Sequence, residues 1–123
     1  MSKEIIIVDD DPMVRMLVSE YLQALGYSAQ VFTRGKECLD HLANSAALPN
    51  LLILDLQMPE MNGLEVLAQI RGDEKLKNLA VLMLSANVDQ CESQTTVRAD
   101  CYLGKPFQMQ EFLAAVESTR RDQ

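Results

Sequence analysis

Polar residues stand wherever the apolar runs of this chain stop. Asp9 and Asp10 follow Ile5-Ile6-Ile7-Val8, Asp55 follows Leu51-Leu52-Ile53-Leu54, Ser85 follows Ala80-Val81-Leu82-Met83-Leu84, and Lys105 comes two residues after Cys101-Tyr102-Leu103. Unit charges about 4 Å apart cost on the order of 4 kcal/mol at an effective dielectric of 20, so three clustered carboxylates stay ionised together only beside a counter-charge. A hard divalent cation supplies it. Magnesium prefers oxygen ligands, keeps several waters and takes one or two carboxylates with phosphate oxygens, which suits acids with no His or Cys beside them. A carboxylate is also a nucleophile able to form an aspartyl-phosphate, and Asp55 is the candidate for that role. Metal, the Lys105 ammonium and the Ser85 hydroxyl would then neutralise or donate to the three phosphoryl oxygens.

Chemistry of this kind requires the five residues to meet, and the surrounding pattern supplies the means. Residues 4–8, 28–32, 51–55, 80–84 and 101–103 read as strands, the third being a continuous apolar run suited to burial on both faces of a parallel sheet. Between them the period changes to that of helices. Val14, Leu17, Val18, Tyr21, Leu22 and Leu25 form one stripe behind Asp11 as N-cap and Pro12 at the first helical position, closed by Gly26. Further helices are expected over 35–46, with Cys38, Leu39, Leu42 and Ala46 inward, over 63–71, capped by Gly72, and over 88–97, the thinnest stripe and so the least firmly packed. The last helix is expected over 109–120 with Met109, Phe112, Leu113 and Val116 inward. His41, the only histidine, falls off its helix stripe and reads as a solvated residue. Five alternations of strand and helix imply a doubly wound α/β fold, a parallel sheet with helices on both faces. Ligands of such sheets bind outside the carboxyl ends of the strands, where Asp9, Asp10, Asp55, Ser85 and Lys105 all fall. An Asp that merely starts a turn is the plainer reading of Asp55, and this convergence argues against it.

Composition narrows the class of partner. The 123 residues fit one domain spanning 1–123, and 11 basic against 18 acidic residues give a formal charge of -7, which argues against a nucleic-acid surface. Cys38, Cys91 and Cys101 are an odd number without CxxC spacing, so neither a disulfide framework nor a zinc site is expected and a reducing cytoplasm is. No apolar run approaches a membrane span, and Met1-Ser2-Lys3-Glu4 lacks the features of a signal peptide.

Taken together, Ile7-Val8-Asp9-Asp10, Leu54-Asp55-Leu56-Gln57-Met58-Pro59 with Asn62-Gly63, Ser85-Ala86 and Lys105-Pro106-Phe107 resemble the receiver domain of bacterial two-component response regulators, of the chemotaxis-regulator kind, over essentially the whole chain. The resemblance implies a flavodoxin-like (βα)5 three-layer fold with strand order 2-1-3-4-5, the order known for receiver-type doubly wound sheets. It implies that Asp55 takes a phosphoryl group from a histidine kinase or histidine phosphotransfer protein, that Asp9, Asp10 and Asp55 hold Mg2+ with the Gln57 carbonyl, and that Lys105 and Ser85 assist. Ser85 and Tyr102 would be the switch pair, relaying the change to the face formed by the fourth helix, fifth strand and last helix. Such a domain is a phosphoacceptor switch that assists its own phosphorylation and dephosphorylation, not an enzyme. Its partners would be the kinase and a downstream effector or an output domain after Gln123, with homodimerisation on phosphorylation and no membrane contact. The resemblance further implies a cis Lys105-Pro106 bond, and lets Gln57 and Asn87 tune the lifetime of the phosphoryl group.

Two positions depart from the family pattern: Ser85 stands where Thr is common, and Gln108 precedes the last helix where Asp would be usual. Two other readings compete. A phosphatase with an aspartyl-phosphate intermediate usually has an Asp two residues after its nucleophile, where this chain has Gln57, and a capping domain for which there is no room. A receiver-like module that no longer takes phosphate is opposed by the intact acidic, hydroxyl and lysine positions.

Overall fold

The computed structural model describes residues 4–58, 60–85 and 98–120. Its elements follow in the order β1 (Glu4–Val8), α1 (Pro12–Ala24), β2 (Ser28–Phe32), α2 (Gly35–Asn44), β3 (Leu51–Asp55), α3 (Gly63–Arg71), β4 (Val81–Ser85), β5 (Cys101–Gly104) and α4 (Met109–Thr119). The strands form one parallel five-stranded sheet in the order β2-β1-β3-β4-β5, as the resemblance implies.

Period-two alternation divides the core into two layers. Ile5, Ile7, Leu51, Ile53, Leu82 and Leu84 face Val18 and Leu22 of α1 and Phe112 and Val116 of α4. Ile6, Val8, Leu52, Leu54, Val81 and Met83 face Cys38 and Leu42 of α2 and Val66, Leu67 and Ile70 of α3. Burial on both faces is why β1, β3 and β4 read as unbroken apolar runs rather than alternating ones.

Local signals set the element ends. The Asp11 side chain accepts from the Met13 N–H at 2.9 Å ahead of Pro12, and Gly26 takes φ 87° just after α1. Asn62 and Glu65 form a reciprocal capping box at the start of α3. At the start of α4 the Gln108 N–H donates to Glu111 Oε1 at 2.9 Å.

Some expectations shift. The second helix stops at Asn44, leaving Ala46 exposed outside it. The fourth strand starts at Val81 because its ladder with β3 pairs Leu52 with Val81, and Ser85 is its last residue. Met109 is 42 % exposed at the first turn of α4, and Ala115 lies inward instead. His41 is half-buried, its ring 5.2 Å from that of Phe32. The expected helix over 88–97, with Ala86, Asn87 and Cys91, and Pro59 of the turn lie outside the described residues.

Candidate functional site

Ladder register carries the reactive groups to one edge of the sheet. Val8 pairs with Leu54, so Asp9 and Asp55, the next residues of β1 and β3, emerge side by side at the point where the strand order reverses. The Asp9 N–H still donates to Phe32 O at 3.2 Å, and the Lys105 N–H to Ser85 O at 2.8 Å, so hydrogen bonds of the sheet type hold both residues just beyond their strands. Parity does the rest. Asp9, Asp55 and Lys105 continue the residue series that faces α1, whereas Ser85 and Tyr102 continue the series that faces α2 and α3.

On the α1 side, Lys105 Nζ lies 3.1 Å from Asp55 Oδ1 and 3.2 Å from Asp9 Oδ2. The Asp9 side chain is fully buried, that of Asp55 is 6 % exposed, and Asp10 is exposed at the rim. One carboxylate oxygen from each of Asp9, Asp10 and Asp55 falls within 4.8 Å of the others. Three hard oxygen donors so close, with no thiolate or imidazole among them, fit a magnesium-like cation that keeps part of its water shell.

The electrostatics follow from this crowding. Burial, and then the neighbouring Asp9 charge, push the Asp55 carboxyl up to about 6, against the pull of Lys105 and the Gln57 N–H. Burial works against the Lys105 ammonium, but hydrogen bonding and attraction to Asp55 and Asp9 outweigh it and hold the group above the ordinary lysine value. The lysine is therefore a permanent cation bridging two acids. It neutralises only part of their charge.

Ser85 is buried at the end of β4, and on the other face the half-buried Tyr102 ring packs on the α2–α3 layer with its hydroxyl accepting the Ala99 N–H at 3.0 Å. Gln57 is exposed, and its N–H reaches Asp55 Oδ1 at 3.4 Å. The Lys105-Pro106 bond is cis. The acids and the lysine expected from sequence thus meet in one crevice, Ser85 is buried at the end of β4 beside it, Tyr102 packs on the α2–α3 layer, and Asn87 lies outside the described residues.

Three features were not expected. Met13, Met16 and Leu17 are 74, 61 and 40 % exposed on α1 and, with Val14, line a groove of about 390 Å³ between Asp11 and Glu20. A second groove of about 310 Å³, lined by Val14, Leu17, Pro106 and Phe107, reaches Lys105. Two methionines off the buried stripe were the signal for this surface. Arg71, at the end of α3, donates to the carbonyls of Lys77, Leu79 and Arg98 and to Asp100 Oδ2, which also accepts the Val81 N–H. The third is Arg15, whose Nη1 donates to Asp9 O at 2.9 Å.

Comparison with known proteins gives a consistent result. The family described as response regulator receiver domain matches residues 5–117. Response regulator MprA of Mycobacterium tuberculosis is 37 % identical over 121 residues, covering 98 % of this chain and 52 % of that protein. Transcriptional regulatory protein GltR of Pseudomonas aeruginosa is 32 % identical, covering 97 % of this chain and 49 % of that protein. Among solved structures, the chemotaxis response regulator CheY4 of Vibrio cholerae superposes with a TM-score of 0.86 at 28 % identity, covering 96 % of this chain and 98 % of that one. The chain spans about half the length of the curated relatives it matches.

Proposed function

The chain belongs to the response regulator receiver domain family, and on that premise we propose that residues 1–123 are one phosphoacceptor unit in which Asp55 receives a phosphoryl group from a phosphohistidine donor. The observation that carries this reading is the bridge of the half-buried Lys105 to the buried Asp9 and Asp55, beside an exposed Asp10 at the carboxyl ends of β1, β3 and β5.

In the transfer, an Asp55 carboxylate oxygen forms a bond to phosphorus as the phosphorus–nitrogen bond of the donor breaks, and the electron pair leaves with the imidazole. Lys105, within hydrogen-bond reach of Asp55, swings with little displacement to a phosphoryl oxygen and offsets charge where it accumulates. Ser85, at the end of the neighbouring strand, donates its hydroxyl to a second oxygen. Asp9, Asp10 and Asp55, with the Gln57 carbonyl, would hold Mg2+, which when bound supplies the positive charge that lets the acids stay ionised beside an incoming phosphoryl group. A turn of Ser85 toward the phosphoryl group would be coupled to an inward movement of the Tyr102 ring, at the loss of its Ala99 hydrogen bond. That exchange would carry the signal to β5 and α4.

The protein is accordingly a cytoplasmic switch that assists its own phosphorylation and dephosphorylation. The apolar grooves of α1 and the Pro106-Phe107 segment open beside Lys105 and suit the docking of a histidine kinase or phosphotransfer protein. An effector protein, an output domain or a second phosphorylated copy would read the state. Incubation with acetyl phosphate and magnesium tests the reading: intact-mass spectra should gain one acid-labile phosphoryl group, lost in Asp55→Asn because an amide is not a nucleophile here. Equal labelling of that variant would remove Asp55 from its role.

A further inference from the structure

We propose that Arg15 is a positioning residue for the acidic crevice, holding the Asp9–Asp10 peptide so that both carboxylates remain aimed at the cation. This rests on the reading of Asp9 and Asp10 as metal ligands. Arg15 is the fourth residue of α1, half-buried, and its side chain runs back past the start of the helix, as helical side chains do, to donate through Nη1 to Asp9 O at 2.9 Å. The other polar groups of Asp9 are already held: its N–H by Phe32 O at 3.2 Å, Oδ1 by the Asp11 N–H at 2.9 Å and Oδ2 by Lys105 at 3.2 Å. Arg15 fixes the remaining carbonyl. Because a peptide unit is planar, fixing that oxygen also fixes the orientation of the Asp10 N–H and Cα, from which the exposed Asp10 carboxylate springs. A charged donor makes this tether stronger than a neutral one would.

Arg15 also places a positive charge near the acids, and its two effects on metal binding have opposite signs. Removing the charge alone would tighten cation binding, whereas removing the tether would weaken it. The test is magnesium titration followed by amide chemical shifts, below the melting temperature of every variant, on wild type, Arg15→Met, which keeps the apolar stem, and Arg15→Lys, which keeps a charged donor. A positioning role predicts a dissociation constant raised about tenfold in Arg15→Met, the low end for residues that orient metal ligands, and largely restored in Arg15→Lys, since only one donor atom is used. Amide exchange at Asp10 in the metal-free protein should accelerate in Arg15→Met alone. A purely structural role would lower the melting temperature and leave the dissociation constant where it was. Unchanged or tighter binding in Arg15→Met overturns the inference, and a wild type that takes up no magnesium overturns the ligand reading with it.

Discussion

Asp55 is held in an uncomfortable state, because burial and Asp9 raise its carboxyl to about 6 while Lys105 offsets only part of that. A raised carboxyl binds its proton more tightly folded than unfolded, so between about pH 4 and 6 the native state holds the extra proton and stability falls as pH rises. In magnesium-free buffer, wild type should therefore lose stability across that window, and Asp55→Asn should lose less and melt higher at pH 7. Thermal melts at pH 4, 5, 6 and 7 check this, and parallel curves for the two proteins would count against it. Gln57 belongs to the same scale. Its exposed amide, two residues beyond the proposed acceptor, would orient a hydrolytic water by hydrogen bonds but cannot take its proton. Gln57→Met should slow dephosphorylation of purified phospho-protein several-fold, whereas an unchanged decay rate would assign the amide to solvent.

The elements matter through close approach as much as through their ends. A Cβ on Gly63 would sit 2.5 Å from Asp55 O and 2.8 Å from Leu56 Cα, so the start of α3 presses on the backbone that carries Asp55, and only Gly allows it. Gly63→Ala should cost about 1–3 kcal/mol in urea titration and slow labelling by acetyl phosphate, because the shift needed falls on Asp55 itself. Full stability would mean that the segment moves aside freely. The Gly was legible in sequence as part of Asn62-Gly63, and so were Asp9, Asp55 and Lys105, since apolar runs and helix caps fix where strands end and register then fixes what meets. Arg15, Arg71 and Asp100 were not legible. Each acts through the reach of a side chain across elements, which leaves no period in the sequence. Met109 and Ala46 failed for a related reason: apolar residues at helix ends follow the stripe in sequence but have no layer to cover them.

For the molecule as a whole, the surface next to the crevice is as telling as the crevice. An acidic protein of charge -7 that exposes Met13, Met16 and Leu17 offers an apolar strip rimmed by Asp11 and Glu20 and continued through Leu17 toward Lys105. Exposed apolar surface of that kind is where partners bind. Leu17→Asp should cut the rate of phosphotransfer from a protein donor about tenfold or more while leaving labelling by acetyl phosphate unchanged, as a small donor needs no docking. Equal loss with both donors would mean that the substitution disturbs the crevice itself. One acid among several crowded ones, Asp55, is the proposed acceptor. Borohydride reduction of the phosphorylated protein converts an aspartyl-phosphate to homoserine, which peptide mass spectrometry can locate. With Asp55 as acceptor, homoserine appears at position 55 alone; homoserine at position 9 or 10, or at none, would rule that assignment out.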